Sequence, residues 1–155
     1  MLIRKFVPSD LDEILTLFHD VVHTVGIHYY SQQQVEAWAP SHLDAQKWLE
    51  SLAANITYVA IDHDKIVGFA DMTHTGLIDR LYVHQKYQGQ GVSRALFKQL
   101  EEEAKKLQLH ELTIEASIMA KRIAERHGFT VVHEQTKALR GQTFTTFSMR
   151  KKLYK

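Results

Sequence analysis

Cysteine is absent from this chain of 155 residues, which excludes disulfide bonds, thiol catalysis and zinc sites built on thiolates. Long apolar runs are absent as well, and none approaches the roughly 20 residues that a membrane-spanning helix needs. The start, Met1 to Phe6, reads as a strand that contains charges and lacks the apolar core of a signal peptide. From these absences we expect a cytoplasmic protein that has no membrane as a partner.

An excess of one charge is also missing. The sequence has 19 Lys and Arg residues against 18 Asp and Glu residues, a formal net charge of +1. Proteins that bind nucleic acid or anionic membranes usually carry a basic surplus, so we expect neither partner. Hydrophobic residues make up 45% of the chain and charged residues 24%, without a linker, repeat or low-complexity stretch. This composition predicts one globular domain over residues 1–155.

What the sequence does contain is a glycine-rich segment between a strand and a helix. It runs from Gln88 to Ser93 in the order Gln-Gly-Gln-Gly-Val-Ser. Branched and aromatic residues predict a strand over Leu77–Val83, and apolar spacing predicts a helix over Ser93–Leu107. The glycines allow a tight turn, and the free N–H groups of the first helical turn attract an anion, phosphate above all. A turn that only begins the helix fits the same glycines.

Two common phosphate-binding loops do not fit this segment. A nucleoside-triphosphate loop has Lys followed by Ser or Thr after its last glycine, whereas this chain has Val92 and Ser93. A dinucleotide-binding fold has three spaced glycines near the start of the chain and an acidic residue on the next strand. Here the loop lies in the middle of the chain and has two glycines. Both alternatives are therefore discounted.

The segment resembles the acetyl-CoA loop of the GNAT superfamily of N-acetyltransferases, whose pattern is Gln/Arg-x-x-Gly-x-Gly/Ala. Gln88, Gly91 and Ser93 fall on the three defined positions, with Ser93 in place of the usual Gly or Ala. The small size of Ser makes this departure mild.

The resemblance continues downstream of the loop. GNAT chains follow the loop helix with a strand, then Asn/Ser-x-x-Ala, a short helix and Gly-Phe. The matching parts here are the predicted strand over residues 112–116, Ser117, Ala120 and the pair Gly128-Phe129. With the strands that precede the loop, the resemblance covers essentially the whole chain.

The resemblance implies an α/β, GNAT-like fold, with a mixed, mainly antiparallel sheet that has a splayed central strand pair and is flanked by helices. It implies transfer of the acetyl group of acetyl-CoA, without a metal, to a primary amine of a small molecule or a protein. GNAT proteins often form homodimers, and the resemblance leaves that state open for this chain. The residues that it assigns to acetyl-CoA are Leu81, Tyr82, Val83, Gln88, Gly89, Gln90, Gly91, Val92, Ser93, Ser117 and Ala120.

Acetyl transfer requires the amine to lose a proton, and Asp79 is the first candidate to accept it. Asp79 lies two residues before Leu81 and four before Val83, so alternation along a strand predicts that all three share one face. GNAT enzymes that take their base from this strand have a carboxylate on that face. An ion pair of Asp79 with Arg80 or Lys65 is the structural alternative.

Glu115, on the next predicted strand, is the second candidate base, and an ordered water is the third. In this family a Tyr on the helix after the Ser/Asn-x-x-Ala motif often protonates the departing thiolate. The family pattern puts that Tyr at the position of Ala124, so the usual general acid is missing. This departure keeps a second function open, an acyl-CoA-binding sensor or regulatory domain with little catalysis.

Aromatic residues near the first predicted helices are candidates for the acceptor site, because the first two helices of GNAT folds and their connection border that site. Tyr29 and Tyr30 lie in this connection, and both substrate contact and packing fit them. Trp38 fits packing of its helix on the sheet better. Ser31 and Gln34 form a capping box that begins this second helix. None of these residues selects one amine among the many that the family acetylates.

One pair of histidines has the spacing of a metal site. His19 and His23 lie four residues apart, as in the helix of zinc proteases, and would share one helix face. Asp20 replaces the Glu that such enzymes use as a base, and no third ligand is evident. We therefore expect no metal here, and a polar flank beside the apolar helix face.

Overall fold

The computed structural model describes residues 1–154 as a seven-stranded sheet flanked by five α-helices. Apolar residues spaced three or four apart form the buried faces of the longer helices. The strands are β1 (Leu2–Lys5), β2 (Ile56–Asp62), β3 (Lys65–Met72), β4 (Leu77–Val83), β5 (Glu111–Ser117), β6 (Thr130–Leu139) and β7 (Gln142–Lys152). The helices are α1 (Leu11–Thr24), α2 (Gln32–Trp38), α3 (Ala45–Ala54), α4 (Val92–Lys106) and α5 (Ile118–Arg126).

The sheet has the strand order β1-β2-β3-β4-β5-β7-β6. Neighbouring strands are antiparallel except β4 and β5, which are parallel. These two pair only at Leu77 with Thr113 and at Ile78 with Ile114. The prediction of a mixed, mainly antiparallel GNAT-like sheet with a splayed central pair is confirmed. Beyond the paired residues, the separation of β4 and β5 opens a gap in the middle of the sheet.

Helices cover both faces of the sheet. Helices α1, α2 and α3 pack on one face around residues such as Phe18 and Phe69, while α4 and α5 pack on the other around residues such as Leu96. Helix α4 approaches β3 closely at Gly68, where a Cβ atom would lie 2.8 Å from Cγ1 of Val92. Glycine at this position lets the first turn of α4 lie against the sheet, and this contact positions the loop before it.

The predicted capping box at the start of α2 is present. The hydroxyl oxygen of Ser31 accepts a hydrogen bond from the N–H of Gln34, and the side chain of Gln34 accepts one from the N–H of Ser31, at 3.1 and 2.9 Å. This arrangement defines where α2 begins and therefore orients the connection from α1, which carries Tyr29 and Tyr30. Among residues 1–154, no helix is both long enough and apolar enough to cross a membrane.

Candidate active site

A cavity of about 380 Å³ opens in the gap between β4 and β5. Its floor, as we use the word, consists of the β4 residues from Asp79 to Val83 and of Glu115 and Ser117 at the end of β5. Its walls come from both sides of the gap and are mainly apolar. The wall residues on the side of α1, α2 and the β6–β7 hairpin are Val21, Val25, Tyr30, Trp38, Leu139 and Phe144, together with the polar Lys137 and Thr146 of the hairpin. Polar side chains on the floor, such as Asp79 and Ser117, under mainly apolar walls suit a ligand whose reactive end is polar and whose body is not.

The glycine-rich loop lies at the end of β4, beside this cavity. Gly89 and Gly91 have φ angles of +73° and +84°, a region that other residues rarely adopt. Gly91 immediately precedes α4 and has no side chain with which to cap the first turn of this helix. Its first N–H groups are therefore open to an anion, as the sequence predicts. The side chain of Gln88 donates a hydrogen bond of 2.6 Å to the carbonyl oxygen of Val83 and ties the loop to the strand.

The other residues assigned to acetyl-CoA contribute in different ways. Val92 is 2% exposed and packs in the core, so it has only its backbone to offer a ligand. The hydroxyl oxygen of Ser93 lies 3.4 Å from Nε2 of His127. The hydroxyl oxygen of Ser117 accepts a hydrogen bond from the N–H of Ala120 and so caps α5, and both residues line the cavity.

His127 is a residue of this region that the sequence did not indicate. Burial lowers the pKa of its imidazole, and the nearby charges of Lys151 and Arg94 lower that pKa further. The histidine is thus mainly neutral near pH 7. Lys151 is paired with Glu101, whereas Arg94 lies in the first turn of α4, where a positive charge suits the phosphates of a coenzyme. In the sequence, His127 is marked only by its position directly before the Gly-Phe pair. That position does not indicate which charged residues surround it.

The side chain of Asp79 lies at the floor of the cavity, but it does not share a face with Leu81 and Val83. On β3, Asp71 pairs with Arg80 and Met72 pairs with Ile78. The pairing therefore skips Asp79, which has no partner on β3. Such a bulge turns two consecutive side chains toward the same side. The expectation from strict alternation was wrong for this reason.

A polar network holds Asp79 in this position. The side-chain nitrogen of Asn55 donates one hydrogen bond to Asp79 at 2.7 Å and another to Asp71 at 2.9 Å. Arg80 forms an ion pair with the fully buried Asp71 and donates a hydrogen bond to Ser51. The guanidinium carbon of Arg80 also lies over the ring of Trp48, 5.0 Å from the ring centroid. The ion pair that sequence reasoning considered for Asp79 is thus formed by Asp71 instead. Asn55 and Asp71 belong to the site although no motif marks them.

Replacing Arg80 with Met tests this network. Removing the cation leaves the buried carboxylate of Asp71 uncompensated, and we expect the free energy of unfolding at pH 7 to fall by about 3 kcal/mol. Burial already raises the pKa of Asp71, against the opposing effect of Arg80, and the substitution should raise that pKa further. A folded pKa above the unfolded value of about 3.9 costs stability only above that pH, so the loss should shrink as the pH approaches 4.

Urea unfolding of the wild type and of Arg80→Met at pH 4 and pH 7 measures the effect. This range begins near the unfolded pKa of Asp71 and extends roughly three units above it. The double variant Asp71→Asn/Arg80→Met is the control, because it removes both charges and should recover part of the loss. An equal loss at both pH values would contradict the electrostatic explanation and would point to packing of the Arg80 side chain on Trp48.

Glu115 lies on the β5 side of the gap. A hydrogen bond from the hydroxyl of Thr146, at 2.7 Å, and another from the side-chain amide of Gln135 hold its carboxylate. The bond from Thr146 is the largest of the effects that lower the pKa of Glu115. A carboxylate with a lowered pKa accepts a proton less readily, so this environment makes Glu115 the weaker candidate base.

The two neighbouring tyrosines of the α1–α2 connection differ in position. Tyr29 is 46% exposed and is absent from the lining of the cavity, as far as residues 1–154 define it. Tyr30 is 7% exposed, lines the cavity, and accepts a hydrogen bond of 2.9 Å from the N–H of Ile118. Trp38 packs edge-on against Tyr30, with ring centroids 5.3 Å apart, and also lines the cavity.

The remaining sequence candidates lie outside the cavity. Ala124 is fully buried and packs in the core, whereas Met119, Ala120 and Ile123 are the residues of α5 that line the cavity. The rings of His19 and His23 stack 4.0 Å apart, and Nε2 of His23 lies 2.7 Å from the carbonyl oxygen of Ala39. Within residues 1–154, no three His, Cys, Asp or Glu side chains form a group that could hold a metal ion.

Comparison with known proteins identifies the family to which this geometry belongs. The profile of the acetyltransferase (GNAT) domain matches residues 27–153. The uncharacterized N-acetyltransferase YafP of Escherichia coli (strain K12) is 38% identical over 150 residues, which cover 97% of this chain and 95% of that protein. A GCN5-related N-acetyltransferase of Rhodopseudomonas palustris superposes with a TM-score of 0.93 at 28% identity, covering 97% of this chain and 94% of the other.

A more distant structural neighbour shows the fold alone. The PaiA N-acetyltransferase of Thermoplasma acidophilum, solved in complex with coenzyme A, has a TM-score of 0.79 at 18% identity over 97% of this chain and 98% of its own. The profile match and the curated relative cover most of the chain and agree with the splayed strands and the open helix start. The chain therefore belongs to the GNAT superfamily and is an acetyl-CoA-dependent N-acetyltransferase.

Proposed function

We propose that this N-acetyltransferase acts on a primary amine attached to an apolar body, and that Asp79 accepts the proton of that amine. The observation that carries the proposal is the composition of the cavity. Asp79 lies on its floor, and aromatic side chains such as Tyr30, Trp38 and Phe144 form the wall on the acceptor side. Burial of an apolar group against this wall makes binding more favourable, and it directs the amine nitrogen toward the floor.

Acetyl-CoA would enter the same gap from the side of the glycine-rich loop. Its pyrophosphate would bind the open N–H groups around Gly91, and its pantetheine would lie along β4 from Val83 toward Leu81 like an added strand. The parallel pairing of β4 ends at Ile78, so beyond that residue the backbone groups of β4 that point away from β3 have no partner on β5. Those that are not bonded to Gln88 can bind the pantetheine amides. A backbone N–H in this stretch would stabilise the negative charge that develops on the thioester oxygen.

Proton removal sets the second requirement. A protonated amine has no lone pair for attack, so a group near the thioester must take its proton. Asp79 is exposed to the cavity, and Asn55 orients its carboxylate by a hydrogen bond of 2.7 Å. The remaining lone pairs of the carboxylate can accept the proton directly or through a water molecule. Once the amine is neutral, it attacks the acetyl carbonyl carbon and displaces the thiolate of coenzyme A.

A panel of amines tests the preference for an apolar body. With acetyl-CoA as donor, we expect kcat/KM for 2-phenylethylamine to exceed that for ethanolamine by about 30-fold, because burying a phenyl group contributes about 2 kcal/mol. Release of the free thiol of coenzyme A measures each rate. Spermidine and a lysine-containing peptide complete the panel and represent cationic and protein acceptors. A kcat/KM for spermidine or for the peptide that exceeds the value for 2-phenylethylamine would contradict the proposed acceptor class.

A further inference from the structure

The residue at the position where this family usually has the proton donor for the departing thiolate cannot serve as a donor in this chain. When the C–S bond of acetyl-CoA breaks, a nearby proton donor speeds the departure of the thiolate by protonating its sulfur. Ala124, which stands at the family position for that donor, is fully buried in the core and carries no acidic group. A larger side chain at this site would overpack the core. Any residue that donates this proton therefore lies elsewhere on the cavity wall.

Tyr30 is a titratable residue on that wall, and the proton-transfer step described above does not use it. Its ring is held between Trp38 and Phe144, with centroids 5.3 and 5.6 Å away. Its hydroxyl oxygen reaches the start of α5, where it accepts a hydrogen bond of 2.9 Å from the N–H of Ile118. This hydroxyl therefore lies at the end of β5, on the opposite side of the gap from β4.

The hydrogen bonding of this hydroxyl suits a proton donor. Because its oxygen accepts the N–H of Ile118, its own hydrogen remains free to be donated. Burial raises the pKa of Tyr30, so the phenol is protonated at neutral pH. The same hydrogen bond also stabilises the product of donation, since N–H groups at the start of a helix favour a negative oxygen. The hydroxyl of Ser117 and the N–H of Met119 add to this effect.

We propose that Tyr30 takes the place of the missing general acid and protonates the sulfur of coenzyme A as the acetyl group leaves. This role rests on the proposed acetyl transfer through the gap. The C–S bond breaks, its electron pair stays on sulfur, and the phenolic hydrogen passes to that sulfur. The nitrogen loses its second proton as the amide forms, and the phenolate oxygen, held by the N–H of Ile118, takes up that proton, while the first proton passes from Asp79 to solvent. The free thiol leaves, and the enzyme returns to its starting protonation state.

Tyr30→Phe tests this role because it removes the hydroxyl and keeps the aromatic packing. We expect kcat with acetyl-CoA and the fastest amine of the panel to fall about a hundredfold, while calorimetry shows acetyl-CoA affinity within about twofold of the wild type. Tyr58→Phe is the matched control. Tyr58 is also buried, at 5% exposed, and its hydroxyl donates to Glu103 at 2.6 Å, outside the cavity. Its removal should leave kcat unchanged.

A second measurement separates proton donation from a purely structural role. Site-specific replacement of Tyr30 by trifluorotyrosine keeps the hydroxyl but makes the phenol more acidic. We expect kcat to change severalfold while acetyl-CoA affinity stays the same, because only a transferred proton responds to this acidity. An unchanged kcat would overturn the role of Tyr30, and it would do so even if Tyr30→Phe failed to fold.

The outcomes for Tyr30 and for the proposed function are distinct. Thiol release by the wild type together with full kcat in folded Tyr30→Phe would overturn the role of Tyr30 alone. No thiol release by the wild type with any amine of the panel would overturn both. A loss of acetyl-CoA affinity in Tyr30→Phe with unchanged kcat would assign this side chain to coenzyme binding and overturn its role as acid.

Discussion

Replacing Asp79 with Asn should lower turnover about a hundredfold and leave acetyl-CoA affinity unchanged. Asn has nearly the same shape and can still accept the hydrogen bond from Asn55, but it cannot take a proton from the amine. The rate of the variant should recover in part at high pH, because a growing fraction of the amine is then already neutral. Steady-state thiol release from acetyl-CoA over pH 6 to 9, a range of roughly three units below the pKa of a typical alkylamine, measures both effects.

Two further variants sharpen this result. Asp64→Asn is the matched control, since Asp64 is exposed in the turn between β2 and β3 and does not line the cavity. Glu115→Gln asks whether the second carboxylate takes part. Full turnover of Asp79→Asn at every pH would exclude Asp79 as the base. Full turnover of Glu115→Gln as well would then leave an ordered water as the proton acceptor.

Replacing Gly91 with Asp should weaken acetyl-CoA binding at least tenfold, which corresponds to about 1.4 kcal/mol or more. The substitution adds a negative charge at the open start of α4, where the phosphates are expected to bind. Apart from the two adjacent residues, no part of residues 1–154 lies within 4 Å of a Cβ atom at Gly91, so a steric clash is not the reason. Calorimetric titration of acetyl-CoA into each variant measures the change.

The backbone of Gly91 requires two controls, because its φ angle of +84° strains any other residue. Gly91→Asn introduces a side chain of the same shape without the charge and should bind acetyl-CoA more tightly than Gly91→Asp. Gly141→Asp introduces the same charge and similar strain, at φ +80°, in the hairpin between β6 and β7, where a Cβ atom is equally free of contacts. Unchanged affinity in folded Gly91→Asp would show that this loop does not bind the pyrophosphate.

The positions of Asp79 and Tyr30 show where prediction from sequence ends. A strand pattern places Asp79 by counting residues, and the count fails because β4 bulges opposite Asp71. Tyr30 could be predicted to lie near the acceptor site, but its contact with Ile118 joins residues 88 positions apart. Neither the bulge nor this contact has a local signature, since both depend on how distant segments pack together.

Local physical chemistry explains what the sequence by itself determined. Two glycines with positive φ angles between a strand and a helix specify an open helix start, whatever surrounds them. Apolar periodicity likewise specified the strands and helices on either side of this loop. Tertiary structure alone decided which polar groups meet in the gap, because Asn55, Asp71 and Arg80 come together through strand register and through the packing of α3 on the sheet. Hydrogen bonds between such distant residues form only once the sheet has assembled, so the chemistry of the acceptor side is a property of the folded chain.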